Sequence, residues 1–273
     1  MPASDLVSYS QVQAYAGTLA ASTSQVVPLI AQVSRQILSK IQRPRILPST
    51  FTETRDGDGG RRMLLLNYPV LAVSSVIIDG IPIPAAAANA SGVSPGSGWL
   101  LEAVSTDPPG RPAGLSMRGY EFRRGWQNVT ATYTAGYQVS GEAWTVPSSS
   151  PYQVMVTAPF GAWGNDQGVT FTGGAALTLV TGVPSAGQYA VSLGVYTFAA
   201  ADAGKAVSIS YGYVPFDLSL AAAQWVAESI AYTGHIGQAS KTLGGQETVS
   251  YKISAVPMQV DALIQPYKRV VML

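Results

Sequence analysis

The run Val207–Gly234, VSISYGYVPFDLSLAAAQWVAESIAYTG, changes structural period part-way along its length. VSISYGY (207–213) alternates apolar and small polar residues, the two-residue period of a half-buried strand. LSLAAAQWVAESIAYTG is instead built of good helix formers. Asp217 stands where a carboxylate can cap the first turn, and Gly234 is the residue type that ends helices. A strand that delivers straight into a helix predicts an α+β chain.

Towards the N-terminus the same reading finds more helix. Ser8 or Ser10 can cap a short helix through Ala16. From Ser24 onward Val27, Ile30, Val33, Ile37 and Ile41 recur at spacings of three and four, with Arg35 and Lys40 on the opposite face. Pro28 lies near the first turn, where a missing N–H is tolerated, and Pro44 and Pro48 end the helix. Beyond residue 213, ETVSYKI (247–253) reads as a strand and Val260–Gln265 as a short helix before Pro266.

Between the helices, Thr50–Tyr137 reads as strands and turns. FTETRDGDGGRRMLLLN (51–67) predicts a strand, an Asp/Gly turn and a return strand. PVLAVSSVIIDG (69–80) predicts a partly buried strand carrying Val70, Val73, Val76 and Ile78 and ending at Asp79-Gly80. Trp99–Leu101, Tyr120–Phe122 and Val129–Tyr133 complete the set, and AAAANASGVSPGSG (85–98) reads as an exposed loop.

Residues 138–212 differ in composition. Eleven of the 16 basic residues lie between 35 and 124, whereas 138–212 holds only Lys205, with Glu142, Asp166 and Asp202 as its acids. VMVT, VTFT, ALTLV, QYAVS, VYTF and AVSISYGY follow one another there, separated by Gly and Pro turns. The expected architecture is α+β: a helical body with an antiparallel β part (1–137 and 213–273), plus an inserted all-β, sandwich-like module (138–212).

Composition excludes much chemistry. The chain has 273 residues, 47% hydrophobic and 11% charged, with a net charge of +1 and no cysteine. It is too apolar for disorder, and thiolate metal sites, disulfides and cysteine nucleophiles are ruled out. His235, the sole histidine, follows Gly234 and reads as a group that interacts with a helix C-terminus. No apolar run reaches the ~18 residues of a membrane-spanning helix, and MPASDLVSYS lacks the basic start of a secretory signal. Asn89-Ala90-Ser91 and Asn128-Val129-Thr130 match the glycosylation pattern and, with no secretory signal expected, are read as chance matches.

The acidic run Asp56-Gly57-Asp58-Gly59-Gly60 invites a calcium reading, but Asn67 stands where an EF-hand needs its bidentate Glu, so a turn is expected. Gly244-Gly245 lacks the phosphate-loop spacing. No pair of acids is singled out for glycoside hydrolysis. Trp144, Tyr152, Phe160 and Trp163 read as core or interface aromatics, with a sugar-stacking platform as the alternative. No catalytic residue, cofactor or metal is expected. The tail PYKRVVML (266–273) joins two cations to an apolar end, suited to packing on its own domain or to adding a strand to a partner.

Five motifs stand in a set order: IQRPRI (41–46), TETRDGDGGRRMLLLNYPVLAVSSVIIDG (52–80), VTATYTAGY (129–137), VPFDLSLAAAQWVAESIAYTGHIG (214–237) and ISAVPMQVDALIQPYKRV (253–270). In this order they resemble the head–tail connector (adaptor) proteins of long-tailed bacteriophages, over the residues outside 138–212. The resemblance implies a structural virion protein with no enzymatic activity, made in the host cytoplasm and placed at the neck. It implies a ring of about twelve copies beneath the portal protein, extending the DNA channel without sequence-specific binding and docking a stopper or tail terminator protein. It also implies Tyr267, Lys268, Arg269, Val270, Val271, Met272 and Leu273 as a portal-docking segment. Ile30, Val33, Ile37, Leu218, Trp225 and Ile230 would belong to the ring-forming helical body. The alternative is a carbohydrate- or protein-binding module, 138–212, mounted on that body.

Overall fold

The structure is a computed structural model and describes residues 5–20, 22–86, 96–102, 114–233, 240–243, 247–250 and 257–269. Helices α1 (Tyr9–Ala16) and α2 (Thr23–Lys40) come first. Strands β1 (Ser49–Gly57), β2 (Arg62–Leu64), β3 (Val70–Ile78), β4 (Ile81–Ile83), β5 (Gly98–Glu102), β6 (Gly114–Arg118) and β7 (Gly125–Ala135) follow. Then come β8 (Gln138–Thr145), β9 (Gln153–Met155), β10 (Gly161–Phe171), β11 (Thr178–Leu179), β12 (Gln188–Ser192), β13 (Val195–Phe198) and β14 (Ala206–Pro215). Helix α3 (Phe216–Thr233), strands β15 (Ser240–Leu243) and β16 (Glu247–Ser250), and helix α4 (Met258–Ile264) complete the order.

The expected helical body is corrected. The chain is mostly antiparallel β, 41% strand against 27% helix. Of the two 18-residue helices, α2 carries a strong apolar period and α3 a long run of helix formers, and so they dominate a reading by pattern. Strands of three to five residues such as β2, β4, β5 and β6 carry almost none.

The chain divides into two compact units, 1–44 with 141–268 and 45–140 with 269–273. Residues 138–212 thus lie, from Gly141 onward, in the unit that holds the helices.

The 45–140 unit contains two sheets, ordered β1-β7-β3-β4 and β2-β6-β5. Their apolar side chains meet in one core that includes Met63, Val76, Leu115, Phe122, Val129 and Tyr133. Alternation along β7 decides this: Val129, Ala131, Tyr133 and Ala135 point inward. On the other face Thr52 and Thr54 of β1 share hydrogen bonds with Thr132 and Thr130, at 3.2 and 3.3 Å. The expected return strand exists as β2, but β1 pairs with β7 and β2 with β6, so 51–67 is no hairpin. Asp79-Gly80 does turn β3 into its hairpin partner β4. Tyr120–Phe122, expected as a strand, is irregular; the strand lies just before it as β6, and Phe122 is a fully buried plug.

In the other unit, sheets β10-β14-β8 and β11-β12-β13-β9 carry the strands expected within 138–212, with β8 as an addition. Strand β14 passes into α3 without a loop, so Asp217 sits in the first turn rather than at the cap. Helix α3 packs against α1, α2 and α4. Ser8 caps α1 through a reciprocal box with Gln11, as its sequence suggested. Helix α2 buries Val26, Ile30, Val33 and Ile37, followed by Ile41; Val27, expected on that stripe, is exposed because Val26 takes the inward position.

Candidate functional site

Three loops converge at one end of the 45–140 unit. The β1 end, the β3–β4 turn and the segment before β7 meet at Asn128. Its Oδ1 accepts from Gly57 N at 2.9 Å, and its Nδ2 donates to Asp79 Oδ1 at 3.0 Å and to the Arg123 carbonyl at 2.9 Å. The amide that matches a glycosylation acceptor is therefore an internal clamp. The acidic run 56–60 serves the same end: Asp56 Oδ1 accepts from Gln127 N at 2.6 Å, and Asp58 Oδ1 from Gly60 N at 2.7 Å. Gln127 and Asp79 both hold positive φ, 45° and 51°. The clamp projects Trp126, 84% exposed, and Ile81, 63% exposed, into solvent. Arg61, Arg123 and Arg124 are exposed at the same end.

Four acids elsewhere, Glu53, Asp166, Glu142 and Asp202, are bound by donors of their own unit. Glu53 accepts from Tyr133 OH at 3.1 Å and from Leu66 N at 3.4 Å. Burial raises its pKa above the ordinary 4.5, against those hydrogen bonds and the charges of Arg55 and Arg269. Burial first, then the Glu53 charge, pushes Tyr133 up to about 12. In the helical unit, Asp166 accepts from Tyr189 OH at 2.5 Å and Tyr196 OH at 2.9 Å. Glu142 accepts from Tyr211 OH, from Trp144 Nε1 at 2.8 Å and from Thr157 N at 2.9 Å. Burial alone would raise the Glu142 pKa; these donors outweigh it and hold it low. Asp202 is fully buried and takes Gly187 N and Lys205 Nζ, both at 2.8 Å. Among the described residues, no three His, Asp or Glu side chains gather in a cluster able to hold a metal ion.

The aromatics proposed as a sugar platform are half-buried and held separately: Trp144 by Glu142, Trp163 by Tyr196 at 3.4 Å, and Phe160 against Tyr213. Ile30, Val33, Ile37, Leu218 and Trp225 are buried in their own unit and Ile230 is half-buried, so they form its interior. Tyr267 lies just after α4 and donates to Asp217 Oδ2 at 3.2 Å. Lys268 and Arg269 are half-buried. Val270, Val271, Met272 and Leu273 lie outside the described residues, as do Gly234, His235, Gly244-Gly245 and most of 85–98. Pattern reading missed the Trp126 end; its one signal was Arg123-Arg124 beside a Gly-Trp pair, GW at 125–126. No family model and no curated protein matches the chain.

Proposed function

We propose that this chain is a structural subunit of a phage neck, a connector that assembles as a ring on the portal protein and receives a stopper or tail terminator protein. The observation that carries the reading is the order of the five motifs, read with the direct passage of β14 into α3 at VPFDLSL. Two features support it. The carboxylates of Glu53 and Asp56 in one unit and of Glu142 and Asp166 in the other are taken up by internal hydrogen bonds in the roles of clamps. The 45–140 unit also projects a large aromatic and several guanidinium groups, the composition of protein interfaces.

In this role the protein acts by shape. A wall for passing DNA needs weak phosphate affinity, and a chain of net charge +1 suits that need. The test is to mix the purified chain with purified portal rings and image the product by electron microscopy. An added layer of repeated subunits is expected on one face of the portal. Portal rings that stay bare, together with virions lacking the chain at the neck, would overturn the reading.

A further inference from the structure

Strand β1 stands at the end of its sheet. It pairs with β7 through one edge, and among the described residues no strand pairs with the other. An open edge offers a row of N–H and C=O groups to any extended chain, and native proteins cover or blunt it. The two faces of β1 differ. Thr50, Thr52 and Thr54 are exposed, whereas Phe51, Glu53 and Arg55 are half-buried. Phe51 packs at the margin of the core, its ring centroid 6.0 Å from that of Tyr133.

A segment of fitting chemistry is at hand in the same chain. The chain crosses from the helical unit into the 45–140 unit between Lys268 and Arg269. Arg269 is half-buried, its Nε enclosed without a hydrogen-bond partner among the described residues. Its charge acts on Glu53 of β1, while the guanidinium of Arg55 is turned to the Leu64 carbonyl. The residues that follow, Val270-Val271-Met272-Leu273, are apolar and include two β-branched side chains, the composition of strands. Fully extended, four residues span about 13 Å, which matches the four residues of β1 from Thr52 back to Ser49.

We propose that 270–273 adds to the open edge of β1 in its own chain as an antiparallel strand, with Arg269 opposite Glu53. Side chains set the direction. An antiparallel tail runs from Glu53 towards Phe51, whereas a parallel one would bring Val271 opposite the charge of Arg55. Opposite residues of an antiparallel pair share a face. Val271 therefore meets Phe51 on the half-buried face, and Val270 meets Thr52 on the exposed one. A β-branched residue against an aromatic is a favourable cross-strand pair. The inference does not rest on the connector reading; it places on its own unit a tail that the resemblance alone would send to the portal.

The chain has no cysteine, so an introduced pair is the only source of a disulfide. Thr52→Cys and Val270→Cys are combined in one chain, and Thr54→Cys with Val270→Cys in a control chain. Thr52 and Thr54 are both exposed and each shares a hydrogen bond with a threonine of β7, so the two β1 substitutions are matched. After mild oxidation with oxidised glutathione, non-reducing gels and peptide mass mapping measure the link within one chain. The expected result is at least tenfold more 52–270 link than 54–270 link, reduced to the control level by Arg269→Glu. Deleting 270–273 from the cysteine-free chain should also speed amide exchange at alternate residues of 50–53. Circular dichroism checks the fold of each variant. Equal linking at both sites, no link at either, a link that Arg269→Glu leaves intact, or exchange that the deletion does not change overturns the proposal. A 52–270 link found only between chains gives the edge to a second copy and overturns it as well.

Discussion

At Gly57 the chain comes so close to the segment before β7 that a Cβ there would overlap the Arg123 carbonyl oxygen. Gly57 N also donates to Asn128, so the glycine joins two loops at once. Gly57→Ala is therefore expected to lower the unfolding free energy of the 45–140 unit by about 2 kcal/mol or more, read as a fall in the urea midpoint. Two glutamates, one in each unit, predict opposite responses to acid. Glu142 has a lowered pKa, so its contribution is present above the ordinary value of 4.5 and is lost as pH falls through the lower folded value. Glu53 has a raised pKa, so its contribution is present below 4.5 and is lost as pH rises through the higher folded value. Glu142→Gln should flatten the acid limb of the stability profile, and Glu53→Gln should flatten the opposite slope above 4.5. Unfolding midpoints measured across pH for the two variants check both signs.

Among elements, β7 organises the 45–140 unit, pairing with β1 on one side and β3 on the other. Asn128 near its start secures the loops on both flanks. Asn128→Ala leaves Gly57 N and the Arg123 carbonyl without their partner and should cost about 1–3 kcal/mol, with faster amide exchange at residues 57, 79 and 123 as the local readout. The N-terminal box of α1 is separable from this: Ser8→Ala should cost about 1 kcal/mol, seen as a lower thermal midpoint of the helical signal. The helices were legible because their caps and periods are local. Ser8, the stripe of α2 and the alternation of 207–213 each act within a few residues. The partner of β1 was not legible, since the Asp/Gly run after it suggests a hairpin. That run is instead used by side-chain and glycine contacts to residues 122–128, which no local pattern records.

For the whole molecule, the chain enters the 45–140 unit at Arg45 and leaves it at Ser140 along adjacent paths, with Ser49 opposite Ala135 and Tyr137 N donating to the Ile46 carbonyl at 3.0 Å. Ends this close allow excision. A chain in which a short Gly/Ser linker replaces residues 45–140 is expected to keep α1 to α4, checked by far-ultraviolet circular dichroism; loss of the helical signal would show that the units fold only together. The candidate site has the same history. Trp126 and the arginines are visible in the sequence, but their exposure depends on Asn128, Asp56 and Gly57 meeting across some seventy residues. By itself the sequence determined where helices start, which strand faces turn inward, and that chemistry needing cysteine is absent, because caps, periods and composition act locally or not at all through the fold. Only the tertiary structure decided which strands pair, that β outweighs helix, and which side chains remain in water, because those outcomes depend on burial shared between residues far apart in the chain.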